Sequence, residues 1–350
     1  MKKKGVELSG IKEIARRADV SIATVDRVIH KRSGVSIKTS DKINKIIAEL
    51  NYQPNLMARR LASGKIIHLA TLIPQSSSET SFWEEPLKGL EQAESEISQY
   101  GIKIHKYFFD QNDKRSFASQ SQLILKSKPD GILLAPSFVE EATIFTDRCK
   151  EMAIPYVFIN SDIPLQQSLC YIGPHLYRSG YLAGNLISYM IKGTDKILMV
   201  NISTGFDLIL RKEEGFKEYF REHNHPNQIS SLNISHSDFP SIERALSEKI
   251  RASPDIKVIF VANSRISIVA ECLKDSKNDM LLVGYDFLKE NLAYLKQGVI
   301  DFLICQKPAE QAYRGIMALY QHLVLNAPVQ ELQLMPIDII TRENYLFYRT

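Results

Sequence analysis

The residues best suited to chemistry in this chain stand just after its apolar runs. Ile159 is followed by Asn160, Ser161 and Asp162; Val261 leads to Asn263, Ser264 and Arg265; Gly284 leads to Tyr285 and Asp286; and Cys305 is followed by Gln306. The first long apolar run, Ile66–Pro74, leads into QSSSETSFWEE, which holds Phe82 and the single tryptophan, Trp83. Amides and carboxylates hydrogen-bond hydroxyl groups, and aromatic rings cover the apolar C–H side of a sugar. The set suits a polyhydroxylated ligand. Taken singly, an Asn or Asp after a strand is more often a turn or cap former. The recurrence at five apolar runs carries the reading.

A second cluster lies near the N-terminus. In SIATVDRVIH, Ser21 is a helix N-cap, Val25, Val28 and Ile29 form an inward face, and Ile22, Ala23, Asp26, Arg27 and His30 fall on or near the opposite face. An Arg at such a position can donate two hydrogen bonds to guanine O6 and N7 in the major groove. Ile22 and Ala23 offer apolar contacts, for example to a thymine methyl. Thr24 and the helix N-terminus suit phosphate oxygens. By pattern alone, a three-helix protein-docking module with solvated basic side chains stays open beside DNA binding.

The elements that must position these residues follow from periodicity. Ile11, Ile14, Ala15 and Ala18 form one helical face, and Ile43, Ile46, Ile47 and Leu50 another, with Ser36 as cap and Gly34 as breaker. Three short helices with a tight turn at Asp19–Val20 make a helix-turn-helix unit. Residues 54–65, PNLMARRLASGK, read as one to two turns of helix ending at Gly64. So short a helix is marginal without a partner. Beyond it, apolar strand runs alternate with helical patterns, at Ile102–Phe109, Gly131–Ala135, Tyr156–Ile159, Ile197–Asn201, Ile229–Ile234, Val258–Val261, Leu281–Gly284 and Phe302–Cys305. This predicts a doubly wound parallel α/β body, in which ligands bind outside the carboxyl ends of strands.

Charge separates the two parts. Residues 1–65 carry 15 Lys/Arg against 6 Asp/Glu, a net +9, and the remainder carries 29 against 34, a net −5. A basic head on an acidic body implies a polyanionic partner for the head. Cys149, Cys170, Cys272 and Cys305 are far apart and fit buried thiols in a reducing compartment. MKKKGVELSG has charge but no apolar segment, so no secretory signal is expected there, nor is a membrane span; the expected location is the cytoplasm. P-loop, G-x-G-x-x-G and G-x-S-x-G motifs are absent, and His223-x-His225 has no third ligand at helical spacing. Neither a catalytic nor a metal site is expected, and no cofactor.

The head resembles the lactose-repressor (LacI/GalR) family of transcriptional regulators. The matching landmarks are I-K-E-I-A from Ile11, V-S-x-A-T-V-x-R-V from Val20, G-V-S from Gly34, L-x-Y-x-P-N from Leu50 and A-R-x-L from Ala58. The body resembles that family's effector domain, of the type I periplasmic sugar-binding fold, through V-A-N-S (Val261–Ser264), V-G-Y-D (Val283–Asp286), E-G-F (Glu214–Phe216) and Q-K-P (Gln306–Pro308). The resemblance implies that Ile22, Ala23 and Arg27 read bases, with Ser21 and His30 beside them. Thr24 and Tyr52 contact phosphates, and Asn55, Ala58 and Arg59 lie near the backbone. Leu61 matches the leucine that wedges into a base step of the minor groove. It further implies that Asn263, Asp286 and Gln306 contact ligand, that Phe82 and Trp83 line a wall, and that Lys212, or Arg211 beside it, stands where the family often has Arg. Asp26 and His30 depart from the usual Ser and Asn, and Ser264 from the usual Asp.

The expected organisation is a helix-turn-helix head over residues 1–53, a hinge helix over 54–65 and a body over 66–350. Lobe 1 of the body takes in about 66–173 and 306–335, and lobe 2 about 176–304 and 338–350. The expected function is sequence-specific regulation of transcription, most readily repression, by a homodimer on a pseudo-palindromic double-stranded operator. A carbohydrate-like effector at Phe82, Trp83, Asn160, Asp162, Arg211, Lys212, Asn263, Asp286 and Gln306 would control it. The alternatives are a transport-type sugar-binding protein and a sugar-modifying enzyme with a docking head.

Overall fold

The computed structural model describes residues 10–29, 32–50, 52, 66–77, 80–202, 207–235, 238–277 and 279–348. The chain divides into two compact units, Met1–Lys65 and Ile66–Thr350. The hinge segment 54–65 lies outside the described residues, and with it Asn55, Ala58, Arg59 and Leu61; so does His30.

In the first unit, α1 (Ile11–Ala18), α2 (Ile22–Ile29) and α3 (Ile37–Glu49) enclose a small core of Ile14, Ala15, Ala18, Val25, Val28, Ile43 and Ile46. The turn between α1 and α2 is set by Asp19, whose left-handed backbone (φ 57°) ends α1. Ser21 Oγ then accepts from the Thr24 amide at 3.1 Å, and Ser36 Oγ from the Thr39 amide at 3.2 Å, which starts α2 and α3. Lys42 Nζ of α3 donates to Ala18 O at 2.8 Å, tying α3 to the carbonyl end of α1.

The second unit holds two six-stranded sheets. Its elements are β1 (Ile67–Pro74), α4 (Glu84–Ile97), β2 (Ile102–Phe109), α5 (Lys114–Ser127), β3 (Gly131–Leu134), α6 (Val139–Glu151), β4 (Tyr156–Ile159), β5 (Cys170–Gly173), α7 (Leu176–Ser188), β6 (Lys196–Ile202), α8 (Asp207–Glu222), β7 (Ile229–Ile234), α9 (Phe239–Ala252), β8 (Ile256–Val261), α10 (Ile266–Leu273), β9 (Leu281–Tyr285), α11 (Lys289–Lys296), β10 (Phe302–Cys305), α12 (Pro308–Leu323), β11 (Leu332–Leu334) and β12 (Asp338–Thr341). The strand orders are β11-β5-β4-β3-β1-β2 and β12-β10-β9-β8-β6-β7. Strands β3, β4, β5 and β10 are buried at every position, as parallel strands covered on both faces must be. One pairing departs from the all-parallel expectation: β12 runs antiparallel to β10. The short strands β5, β11 and β12 are not evident as apolar runs in the sequence.

The chain passes between the sheets after β5, between β10 and α12, and between β11 and β12. Lys307 stands at the second passage in a left-handed conformation (φ 54°), and its Nζ lies 3.0 Å from Asp338 Oδ2 at the third. This ion pair ties two of the three strands linking the lobes.

The close packing of α7 on α8 depends on two glycines. A Cβ on Gly180 of α7 would lie 1.8 Å from Lys212 O of α8, and one on Gly215 would lie 1.9 Å from Tyr177 O. The backbones of α7 and α8 touch there, which fixes where Lys212 enters the body.

Candidate functional site

Between the two lobes of the body lies a cavity of about 320 Å³. Lobe 1 contributes Thr80, Phe82 and Trp83 after β1, Gln111 and Asn112 after β2, Ser137–Glu141 after β3 and Asn160 after β4. Lobe 2 contributes Lys212 on α8, Asn263–Arg265 after β8 and Asp286 after β9, and Gln306 follows β10 at the passage between lobes. Every one of these except Lys212 follows the carboxyl end of a strand, so the fold delivers them together although they are far apart in sequence.

The floor of the cleft is built around charge. Asp286, 2% exposed, sits in a left-handed conformation (φ 75°), and Gln306 Nε2 donates to its Oδ1 at 2.9 Å. Gln306 Oε1 is buried and has no donor among the described residues. Lys212 is 8% exposed; its Nζ lies 3.7 Å from the centre of the Tyr285 ring and donates to Ala262 O at 3.4 Å, a long bond for an ammonium. Burial pushes the Asp286 carboxyl up to about 6, against the opposing pull of Lys212 and Gln306. Burial likewise lowers the Lys212 ammonium to about 8, with Asp286 opposing. Donor and acceptor capacity is therefore held in a low-dielectric floor with hydrogen bonds to spare, the condition under which a polar ligand group gains most.

The walls orient these groups. Phe82 and Trp83 meet edge to face with ring centres 5.0 Å apart, and Trp83 Nε1 donates to Gln111 Oε1 at 3.3 Å. Asn263 Nδ2 donates to Ile202 O at 2.7 Å while its Oδ1 accepts from the Arg265 amide at 3.2 Å. Its side chain thus also holds the β6 and β8 ends together. Asn160, at φ 69°, donates its backbone amide to Gln311 Oε1 at 2.9 Å.

Phe82, Trp83, Asn160, Lys212, Asn263, Asp286 and Gln306 are all brought to this cavity. Two expected residues are not. Arg211 is 62% exposed at its side chain and pairs with Glu214 at 3.3 Å, because the helical rotation that buries Lys212 turns its neighbour outward. Asp162 is exposed; Ile163, buried in the lobe 1 core, leaves it outside the cleft. Tyr285 is fully buried with its hydroxyl 2.9 Å from Ser179 Oγ, so it supports Lys212 from beneath. The sequence reading missed Thr80, Gln111, Asn112, Ser137, Phe138 and the pair Glu140–Glu141. Gln111 and Ser137 stand two and three residues beyond strand ends, so the rule used for the other strands, applied to β2 and β3, would have found them.

In the first unit, Ile22 (46% exposed), Ala23 and Arg27 share the outer face of α2. Ser21 Oγ and Thr24 Oγ1 are 2.9 Å apart at its N-terminus, and Arg32 Nη1 lies 3.3 Å from Asp26 Oδ2. Tyr52 packs against the helical core and lines a groove with Ile29, Val35 and Ile47.

A helix-turn-helix unit in one chain with a two-lobed body enclosing a polar cleft defines a DNA-binding regulator with a small-molecule domain. Residues 10–55 match the model of the lacI family of bacterial regulatory proteins, and residues 70–326 that of a periplasmic binding protein domain. A putative LacI transcriptional regulator from Bacteroides fragilis shares 30% identity and superposes with a TM-score of 0.75, covering 81% of this chain and all of that one. The ribose operon repressor of Halalkalibacterium halodurans is 26% identical over 309 residues, 84% of this chain and 87% of the relative. An ABC transporter solute-binding protein from Burkholderia graminis, in complex with D-arabinose, has the same fold (TM-score 0.72, 17% identity, 82% and 99% covered). The chain belongs to the lacI family of transcriptional regulators.

Proposed function

We propose that this regulator is a repressor whose operator affinity is set by a monosaccharide-like effector bound between the lobes. The observation that carries the reading is the floor of the cleft: Asp286, Gln306 and Lys212 present unspent acceptors and donors opposite the aromatic corner of Phe82 and Trp83. Hydroxyl groups that both donate and accept satisfy all three, and a pyranose or furanose ring lies against the aromatic edge. Arg211 and Asp162 have no part in this reading. A homodimer presents two α2 helices to a pseudo-palindromic operator. Ile22, Ala23 and Arg27 meet base edges, Ser21, Thr24 and Tyr52 meet phosphates, and segment 54–65 links the two units. Closure of the lobes on effector changes which arrangement of heads the dimer favours, an allosteric coupling typically worth ~1–3 kcal/mol.

The test is a thermal-shift panel of pentoses, hexoses and their acids and phosphates, followed by gel shifts with an operator selected from random duplexes. At least one sugar should raise the melting temperature and change operator affinity by about 5–150-fold. A panel in which no sugar shifts the melting temperature, or in which binding leaves operator affinity unchanged, overturns the proposal.

A further inference from the structure

The mouth of the cleft carries polar contacts that join one lobe directly to the other. Glu290, in the first turn of α11 in lobe 2, accepts from lobe 1: from the Ser81 amide at 3.0 Å, and from Ser81 Oγ at 2.9 Å to one carboxylate oxygen and 2.8 Å to the other. Beside it, Thr80 Oγ1 of lobe 1 lies 3.1 Å from Ser264 Oγ of lobe 2. Hydrogen bonds to a carboxylate are roughly twice as strong as neutral ones, and these are half-buried.

The neighbour of Glu290 turns into its own lobe. Asn291 is fully buried, and its Nδ2 lies within bonding distance of three carbonyls: Ser264 O (3.3 Å), Tyr285 O (3.0 Å) and Asp286 O (3.0 Å). These belong to the two loops that bring Ser264 and Asp286 to the cleft. One helical turn therefore grips the opposite lobe with one residue and the ligand-facing loops with the next.

We propose that Glu290 and Asn291 are positioning residues that act as a latch, coupling the placement of Asp286 and Ser264 to closure of the lobes. A group bound at Asp286 and Ser264 presses on the loops that Asn291 holds, and α11 passes the displacement to the Ser81–Glu290 contact. The latch holds the lobes together by contacts of the protein alone, so an effector that favours the closed lobes adds to a contact already present. Its regulatory use rests on the effector reading above; the latch itself does not.

The experiment therefore needs no sugar. Nitroxide labels at Arg115 in α5 and Glu243 in α9, in a full-length Cys272→Ser background, report the interlobe distance by pulsed electron resonance. Glu290→Ala should broaden the distribution and shift it to longer distances. Glu290→Gln, whose carbonyl can still accept from the Ser81 amide, should restore most of the short-distance population, and Ser81→Ala should fall between. Distributions for Glu290→Ala that match wild type overturn the latch. So does equal opening in Glu290→Gln and Glu290→Ala, since loss of charge alone would then explain it. A protein that binds no sugar yet opens in Glu290→Ala retains the latch and loses only the effector reading.

Discussion

Asp286 shows how one residue's chemistry depends on its burial. Its carboxylate is costly to ionise in the cleft floor, and the Lys212 ammonium and the Gln306 amide only partly offset that cost, which leaves it titrating at about 6. A sugar hydroxyl donating to the carboxylate favours the ionised form, so the complex titrates lower than the free protein. Effector affinity should then fall as pH drops through about 6, because protonation replaces an acceptor with a donor. Asp286→Asn should bind more weakly and lose the dependence. Calorimetry with the sugar found by the panel, from about pH 5 to about pH 8, measures this; a wild-type affinity that does not change across that range removes Asp286 from direct contact. Lys212 illustrates the same balance with opposite sign, since burial lowers it to about 8 and the Tyr285 ring supports its charged form.

At the level of elements, the contact between α7 and α8 decides where Lys212 stands. Gly180 lets the backbone of α7 meet Lys212 O, and a methyl group placed there would lie 1.8 Å from that oxygen. Gly180→Ala should force the helices apart, cost about 1–3 kcal/mol in stability and displace Lys212 from the cleft. Chemical denaturation reads the first effect and sugar titration the second; unchanged values for both would show that α8 does not depend on this approach. The strands make a related point. Strand ends supply nearly every polar group of the cleft, and their number explains why residues from eight separated segments can meet. Rigid parallel strands hold these groups in place.

Across the whole molecule, charge is divided between the two units. The net +9 of residues 1–65 against the net −5 of the rest directs a polyanion to the head and away from the body. Affinity for duplex DNA should therefore fall on the order of a hundredfold or more between about 50 and about 200 mM salt, as phosphate contacts release counterions. Gel shifts or fluorescence anisotropy across that range measure it. An affinity insensitive to salt would mean that the basic head does not meet phosphates. Among the described residues, no helix is long and apolar enough to cross a membrane.

The helix-turn-helix pattern, the alternation of strand and helix, and the polar residues after strand ends were all legible in the residue order. Local periodicity, capping and turn chemistry act over a few residues and are written in them. Ser21, Ser36 and Asp19 do at the helix ends what their types and spacing imply. Strands β5, β11 and β12 were not legible, because they lack the unbroken apolar runs of β3, β4 and β10 and their pairing depends on partners far along the chain. Lys212 and Arg211 are adjacent and chemically alike in sequence; only the packing of α8 against Gly180 sends the first into the cleft and the second to solvent. The same holds for Glu290 and Asn291, an unremarkable helix start until the fold brings Ser81 from the other lobe against one and three loop carbonyls against the other. Side-chain type comes from the sequence, whereas which atoms share a low-dielectric space is set by contacts between distant segments, and that is where the chemistry of this cleft was decided.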